Sequence, residues 1–184
     1  MARRFFTLDV FTRDALAGNP LAVVTEAEGL DETQMLRIAK EFNLSETVFV
    51  LPARNPVNTA RIRIFTPAME LPFAGHPTVG SAVLLASLRA PELAGGRDLS
   101  VVLEEEVGDV ACTVRLERRG ASFAYFTLPR LPEKLGDADA GPLADALGLD
   151  QKDIGFDGHK PVVYSAGTPF CFVPVSGLAV IARA

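Results

Sequence analysis

Ala74-Gly75-His76-Pro77-Thr78-Val79-Gly80 opens a segment that stays apolar through Ala82, Val83, Leu84, Leu85, Ala86 and Leu88. Pro77 suits the first turn of a helix, where its missing N–H costs no hydrogen bond. The pattern predicts a helix from this opening to about Leu88. Val79, Ala82, Val83, Leu84, Leu85, Ala86 and Leu88 leave it almost no polar face, and a helix apolar all round must be buried on all sides. It is too short to cross a bilayer, which takes about 20 apolar residues. The expectation is a helix inside a surrounding sheet.

The flanking sequence can supply that sheet. Residues 5–10 and 21–24 read as strands around the turn cluster Ala17-Gly18-Asn19-Pro20. Residues 47–51 and 60–65 read as two more, and in the second Arg61 and Arg63 alternate with Ile62 and Ile64. Residues 99–103, 109–116 and 121–128 continue the series. Between them, residues 31–42 have helix character. Asp31 can cap that helix, Glu32 sits in its first turn, Met35, Leu36, Ile38, Ala39 and Phe42 form its stripe, and Asn43 ends it. The fold class expected is α+β, a curled and mostly antiparallel sheet wrapped around one central helix.

Short echoes point to a repeat. Phe5-Phe6-Thr7-Leu8 returns as Tyr125-Phe126-Thr127-Leu128, and Ile38-Ala39, Phe42 and Leu44 return as Leu143-Ala144, Leu147 and Leu149. On this reading residues 1–123 form a complete first domain. Residues 124–184 begin a second copy and stop before any counterpart of the buried helix.

Hydrophobic residues make up 48% of the 184 and charged residues 22%, which calls for a packed core rather than disorder. A net charge of −5 without any basic run excludes a nucleic-acid surface. The run Glu104-Glu105-Glu106 reads as a solvated strand end or turn. Arg3 and Arg4 are not followed by the long apolar stretch of a signal peptide. Cys112 and Cys171 are too few for a disulfide framework and lie in strand-like sequence, so each is expected as a buried free thiol. A soluble, reducing compartment, the cytoplasm, fits these features.

Two residues stand where chemistry could occur. Glu46, in Asn43-Leu44-Ser45-Glu46-Thr47, falls between a helix end and the apolar strand Val48-Phe49-Val50-Leu51. Partial desolvation there would raise the pKa of its carboxyl group and suit it to general acid/base work. The alternative is a surface glutamate at a strand start. His76 lies at the N-terminus of the buried helix, where free N–H groups and the positive helix end suit a carboxylate and where Gly75 would let that anion come close. The alternative is that His76 caps the helix and Gly75 only makes a turn. His159, after Asp157-Gly158, reads as an exposed loop residue. There is no nucleophile elbow, so Ser45 and His76 do not make a hydrolase. Metal-ligand spacings and phosphate loops are also missing, which leaves cofactor-independent proton transfer with no cofactor or metal expected.

These same residues carry a family resemblance. Phe11 with Gly18-Asn19-Pro20 and Ala22-Val23-Val24, then Asn43 to Phe49, then Ile64-Phe65-Thr66-Pro67 with Glu70-Leu71-Pro72-Phe73 and Ala74 to Gly80, resemble in order the N-terminal signatures of the PhzF-like phenazine-biosynthesis isomerases. The likeness continues more loosely through Ser165-Ala166-Gly167-Thr168-Pro169 and Phe172-Val173-Pro174-Val175. The resemblance implies the diaminopimelate-epimerase fold, two similar domains each wrapping a sheet around a helix, with the site in the cleft between them. It implies Glu46 as proton carrier, His76 assisting, and Ser45, Gly75, Pro77 and Thr78 holding a small carboxylated substrate such as trans-2,3-dihydro-3-hydroxyanthranilate. It further implies a homodimer. Family members carry a second-domain signature, an acidic residue and a glycine-serine helix start, and this sequence stops before it. The isomerase expectation therefore applies to a form that has the second domain. A non-catalytic domain binding a small acid or a partner chain is the alternative. Amino-acid epimerase or racemase chemistry is a further one, but neither Cys112 nor Cys171 sits in the helix-start motif that its two thiols need.

Overall fold

The computed structural model describes residues 2–128 and 130–184, which fall into two compact units, 1–129 and 130–184. The first unit contains strands β1 (Phe5–Val10), β2 (Asn19–Val24), β3 (Glu46–Leu51), β4 (Ala60–Phe65), β5 (Glu70–Leu71), β6 (Leu99–Glu105), β7 (Gly108–Arg115) and β8 (Phe123–Phe126). Its helices are α1 (Glu32–Phe42) and α2 (Gly75–Arg89). The strand order is β1-β2-β3-β4-β6-β7-β8, with β5 added beside β4. Pairings β2–β3 and β4–β6 are parallel and the others antiparallel, so the sheet is mixed.

A flat sheet of seven strands, six spacings of about 4.8 Å, would be about 29 Å wide. Yet α2, whose full diameter is about 10–12 Å, contacts both end strands, β1 and β8, as well as β2, β3, β6 and β7. The sheet must therefore curl around it. Ala82, Leu84, Leu85 and Ala86 of α2 are buried against Leu21, Val23, Val48, Ile62, Ile64, Val101, Leu103, Val110, Cys112 and Val114 from the strands. Gly80 permits the close approach, because a Cβ there would meet Leu21 Cδ2 at 2.7 Å.

A second, smaller core lies on the other face of the sheet. Alternation along β3 sends Val48 and Val50 toward α2 but Phe49 and Leu51 toward α1, where they join Val24, Ala27, Met35, Ala39 and Phe65. Asp31 caps α1 in a reciprocal box with Gln34, and Asn43 closes it in the left-handed conformation, φ 52°.

Two expectations change here. Glu104 and Glu105 are 8% and 9% exposed rather than solvated. Period-two alternation turns them to opposite faces, where each finds donors. Glu104 accepts from the Arg54 and Asn55 backbone N–H groups at 2.8 and 2.7 Å and from Asn58 Nδ2 at 3.1 Å, and Glu105 meets the Thr78 hydroxyl at 2.7 Å. Those donors hold the Glu104 carboxyl below the usual carboxylate range, with the Arg54 N–H acting most strongly. Cys171 is exposed, because its strand lies on the edge of its sheet, whereas Cys112 is buried as expected. β8 hydrogen-bonds to β7, and the first unit runs to 129.

The second unit holds β9 (Glu133–Asp137), α3 (Ala140–Leu147), β10 (Val162–Ser165), β11 (Pro169–Phe172) and the short α4 (Leu178–Ile181). Its three strands pair antiparallel in the order β11-β10-β9. Asp139 caps α3 through the Gly141 N–H at 3.0 Å, and Gly148 ends it with φ 67°. His159 is an exposed residue in this unit. No helix among the described residues is long and apolar enough to cross a membrane.

Candidate active site

Asn43 turns the chain out of α1, and three residues later Glu46 opens β3. Glu46 shares a strand face with Val48 and Val50, the face that meets α2, so its carboxylate is aimed at that helix. His76 stands in the first turn of α2 and is 7% exposed. Its Nε2 lies 3.4 Å from Glu46 Oε2, and the Glu46 side chain is 17% exposed. Both atoms are buried, and neither makes a hydrogen bond among the described residues.

A polar chain approaches the imidazole from behind. Ser45 Oγ donates to Asn19 Oδ1 at 3.0 Å, and Asn19 Nδ2 lies 3.2 Å from His76 Nδ1. With the Asn19 amide donating, Nδ1 accepts and the ring proton sits on Nε2, the nitrogen that faces Glu46. Gly18 lets the chain reach this position, because a Cβ there would come within 2.5 Å of the Val10 carbonyl oxygen. The preceding loop crosses the site's edge. Phe11 has a left-handed backbone, φ 62°, is 74% exposed, and its ring centroid is 6.4 Å from that of His76.

The end of α2 is open. No side chain caps Ala74, and the Thr78 N–H makes a backbone hydrogen bond to the Ala74 carbonyl, 3.2 Å. Pro77 has no N–H, so Gly75 and His76 bring the N–H groups ahead of that bond, at the positive end of the helix. A Cβ on Gly75 would meet nothing within 4 Å, so the space beside those groups is free.

Burial pushes the His76 pKa below its ordinary value. The Glu46 charge opposes that shift, as does the Pro20 carbonyl, which can accept from an imidazolium. The imidazole is thus neutral at neutral pH. An NMR titration should place its midpoint below 6.5. Glu46→Gln should move it lower still, because the substitution removes the main opposing charge. A midpoint above 6.5, or one that Glu46→Gln raises, would contradict this electrostatic account.

The structure thus gathers Glu46, His76, Ser45 and Gly75 from among the residues singled out in the sequence. It turns the Thr78 side chain inward, fully buried and bonded to Glu105, while Pro77 is buried and has no N–H to offer. Asn19, which stands in the Gly18-Asn19-Pro20 signature but has no role in the sequence reading, joins the site. Its partner is 57 positions away, so no local pattern could have revealed the contact. Among the described residues no three of His, Cys, Asp or Glu cluster as a metal site requires.

Comparison with known proteins follows the same lines. The family model described as phenazine biosynthesis-like protein matches residues 8–184. An uncharacterized isomerase of Mesorhizobium japonicum is 52% identical over 98% of this chain and 59% of its own length. A trans-2,3-dihydro-3-hydroxyanthranilate isomerase of Pseudomonas chlororaphis is 35% identical over 96% of this chain and 59% of its own length. The solved structure of a predicted epimerase from Pseudomonas aeruginosa superposes with a TM-score of 0.83 at 37% identity, covering 99% of this chain and 62% of that one. The chain therefore spans about 59% of the length of these two curated relatives.

Proposed function

The chain belongs to the phenazine biosynthesis-like protein family, and from that premise we propose that it forms the acid/base half of an isomerase acting on a small carboxylated substrate. One observation carries the reading: the buried, unpartnered Glu46 Oε2 and His76 Nε2 face each other at 3.4 Å beside the uncapped end of α2. The relative named for trans-2,3-dihydro-3-hydroxyanthranilate supports a cyclic amino-diene carboxylate as substrate.

In the proposed mechanism the Gly75 and His76 N–H groups receive the substrate carboxylate. The Glu46 carboxylate removes a proton from one ring carbon, the electrons shift through the diene, and the Glu46 carboxyl returns the proton to another carbon. Atoms and charge balance without an oxidant. Neutral His76 points its Nε2–H at Glu46 and steadies the carboxyl through both half-steps, while Ser45 and Asn19 hold the imidazole. Epimerase chemistry through two thiols is not supported, because burial pushes the Cys112 thiol up to about 12, with nearby Glu105 adding to the shift. We read the protein as cytoplasmic and homodimeric, with a second copy of the first domain opening within residues 124–184. Ala39 and Ala144, at matching places in the echoed segments, are each buried in a helix, which favours that repeat.

A second reading has one observation in its favour. All four residues of β11 are exposed, Phe170 and Phe172 among them, a surface suited to cover by a partner chain. Turnover separates the two readings. Incubated with trans-2,3-dihydro-3-hydroxyanthranilate, the protein carrying this chain should consume it, as followed by proton NMR. Gly75→Ala, whose methyl group would fill the free space beside the helix end, should raise KM about tenfold, the worth of one hydrogen bond to a charged group. Absence of turnover, or an unchanged KM in the variant, would remove the case for an isomerase that binds its substrate there.

A further inference from the structure

Glu105 is the buried acid that the mechanism above does not use. It ends β6, and in the β6–β7 register it pairs with Gly108. One of its oxygens meets Thr78 Oγ1 at 2.7 Å, and the other is buried with no hydrogen bond among the described residues. Thr78 Oγ1 is also 2.8 Å from the Ala74 carbonyl oxygen. A hydroxyl has one proton. If Glu105 were a carboxylate, that proton would have to serve two acceptors, and one short contact would set lone pair against lone pair. A proton on Glu105 resolves the conflict: Glu105 O–H donates to Thr78 Oγ, and Thr78 O–H donates to Ala74 C=O. The adjoining turn holds the same segment, because the Val107 N–H reaches the Pro72 carbonyl at 3.2 Å.

We propose that Glu105 is a positioning residue that works as a neutral acid, locking Ala74 and Thr78 through this proton chain so that the α2 end carries no buried anion in competition with a bound carboxylate. Burial supports this by pushing Glu105 up to about 8 against the weaker, opposite pull of the Thr78 hydroxyl. The groups around it do not titrate in the same window. Cys112 on β7 is pushed to about 12, and His76 lies below 6.5. Arg54 and the β4 residues Arg61 and Arg63 line a cleft of about 570 Å³ together with Glu70, Glu104, Glu106 and Glu105 itself. Arg63 is paired there with Glu70 and with Glu32 of α1.

The carboxylate-binding part of this proposal rests on the reading of the α2 end given above, and two measurements keep the parts separate. The first is thermal unfolding against pH. Glu105 is raised from 4.5 in the unfolded chain to about 8 when folded, so its stabilisation is full below about 4.5 and gone above about 8. Wild-type Tm should therefore fall relative to Glu105→Gln as pH rises through that window, because the glutamine amide can donate to Thr78 without titrating. A pH-independent difference between the two would overturn the proton chain. The second is KM for trans-2,3-dihydro-3-hydroxyanthranilate. It should rise about tenfold from pH 7 to 9 in the wild type and stay level in Glu105→Gln. A Tm difference with the predicted slope, together with equal KM profiles, would leave the proton chain standing and remove its link to anion binding.

Discussion

Glu46→Gln is expected to lower turnover by roughly 10²- to 10⁴-fold, the usual worth of a positioned general acid/base. Glutamine keeps the shape and the hydrogen-bonding capacity of the side chain but can neither accept nor return the proton. Its amide would still face His76 Nε2 across the 3.4 Å gap, so the helix end and the binding of a carboxylate should survive. The loss should fall on kcat, with KM within a fewfold of the parent, as befits a group needed in the transition state rather than for binding. Paired kcat and KM values for variant and parent make the test. A loss confined to KM would make Glu46 a binding residue and return the catalytic role to another group.

The second large effect is on stability. Phe49 is fully buried in the core between α1 and the sheet, edge-to-face with Phe65 at 5.5 Å between ring centroids. Phe49→Ala should cost about 3–5 kcal/mol, combining lost transfer energy with the cavity left behind. Against a typical total of about 5–15 kcal/mol this is a large share. Urea unfolding would measure it. Because β3 also carries Glu46 on its opposite face, a loosened strand should blunt the site as well. A cost below about 1 kcal/mol would mean that α1 and its core are not what holds β3 in place.

Much of this was legible in the sequence, for reasons that differ from element to element. Local chemistry set the ends of α1: Asp31 and Asn43 are cap residues whose preferences do not depend on the rest of the fold. Alternation set β4 at Ala60–Phe65, because Ile62 and Ile64 face α2 while Arg61 and Arg63 face the other way. The largely apolar surface of α2 called for packing on several sides before any strand order was known, although Leu88 of that surface is 45% exposed. What escaped was set by long-range contacts. A triple glutamate run reads as solvent-facing, and only the register of β6 on β7 and the approach of Thr78 and the 54–58 loop bury two of its members. Asn19 becomes a site residue only because β2 and α2 meet, and Cys171 is exposed only because β11 is an edge strand. In the site, Glu46 and His76 could be proposed from their positions at a strand start and a helix start. The Ser45–Asn19–His76 chain could not, because it links three separate elements.

The central claim is that Glu46 shuttles a proton within a bound carboxylate substrate, and the most direct test is to follow that hydrogen. The protein carrying this chain would be incubated with trans-2,3-dihydro-3-hydroxyanthranilate deuterated at the ring carbon that gives up its proton, and the product examined by mass spectrometry and proton NMR. The account predicts that the wild type forms product in which the label has left that carbon, and that Glu46→Gln forms almost none. Product that keeps the label at its original carbon, or equal product formation by the two proteins, would contradict it.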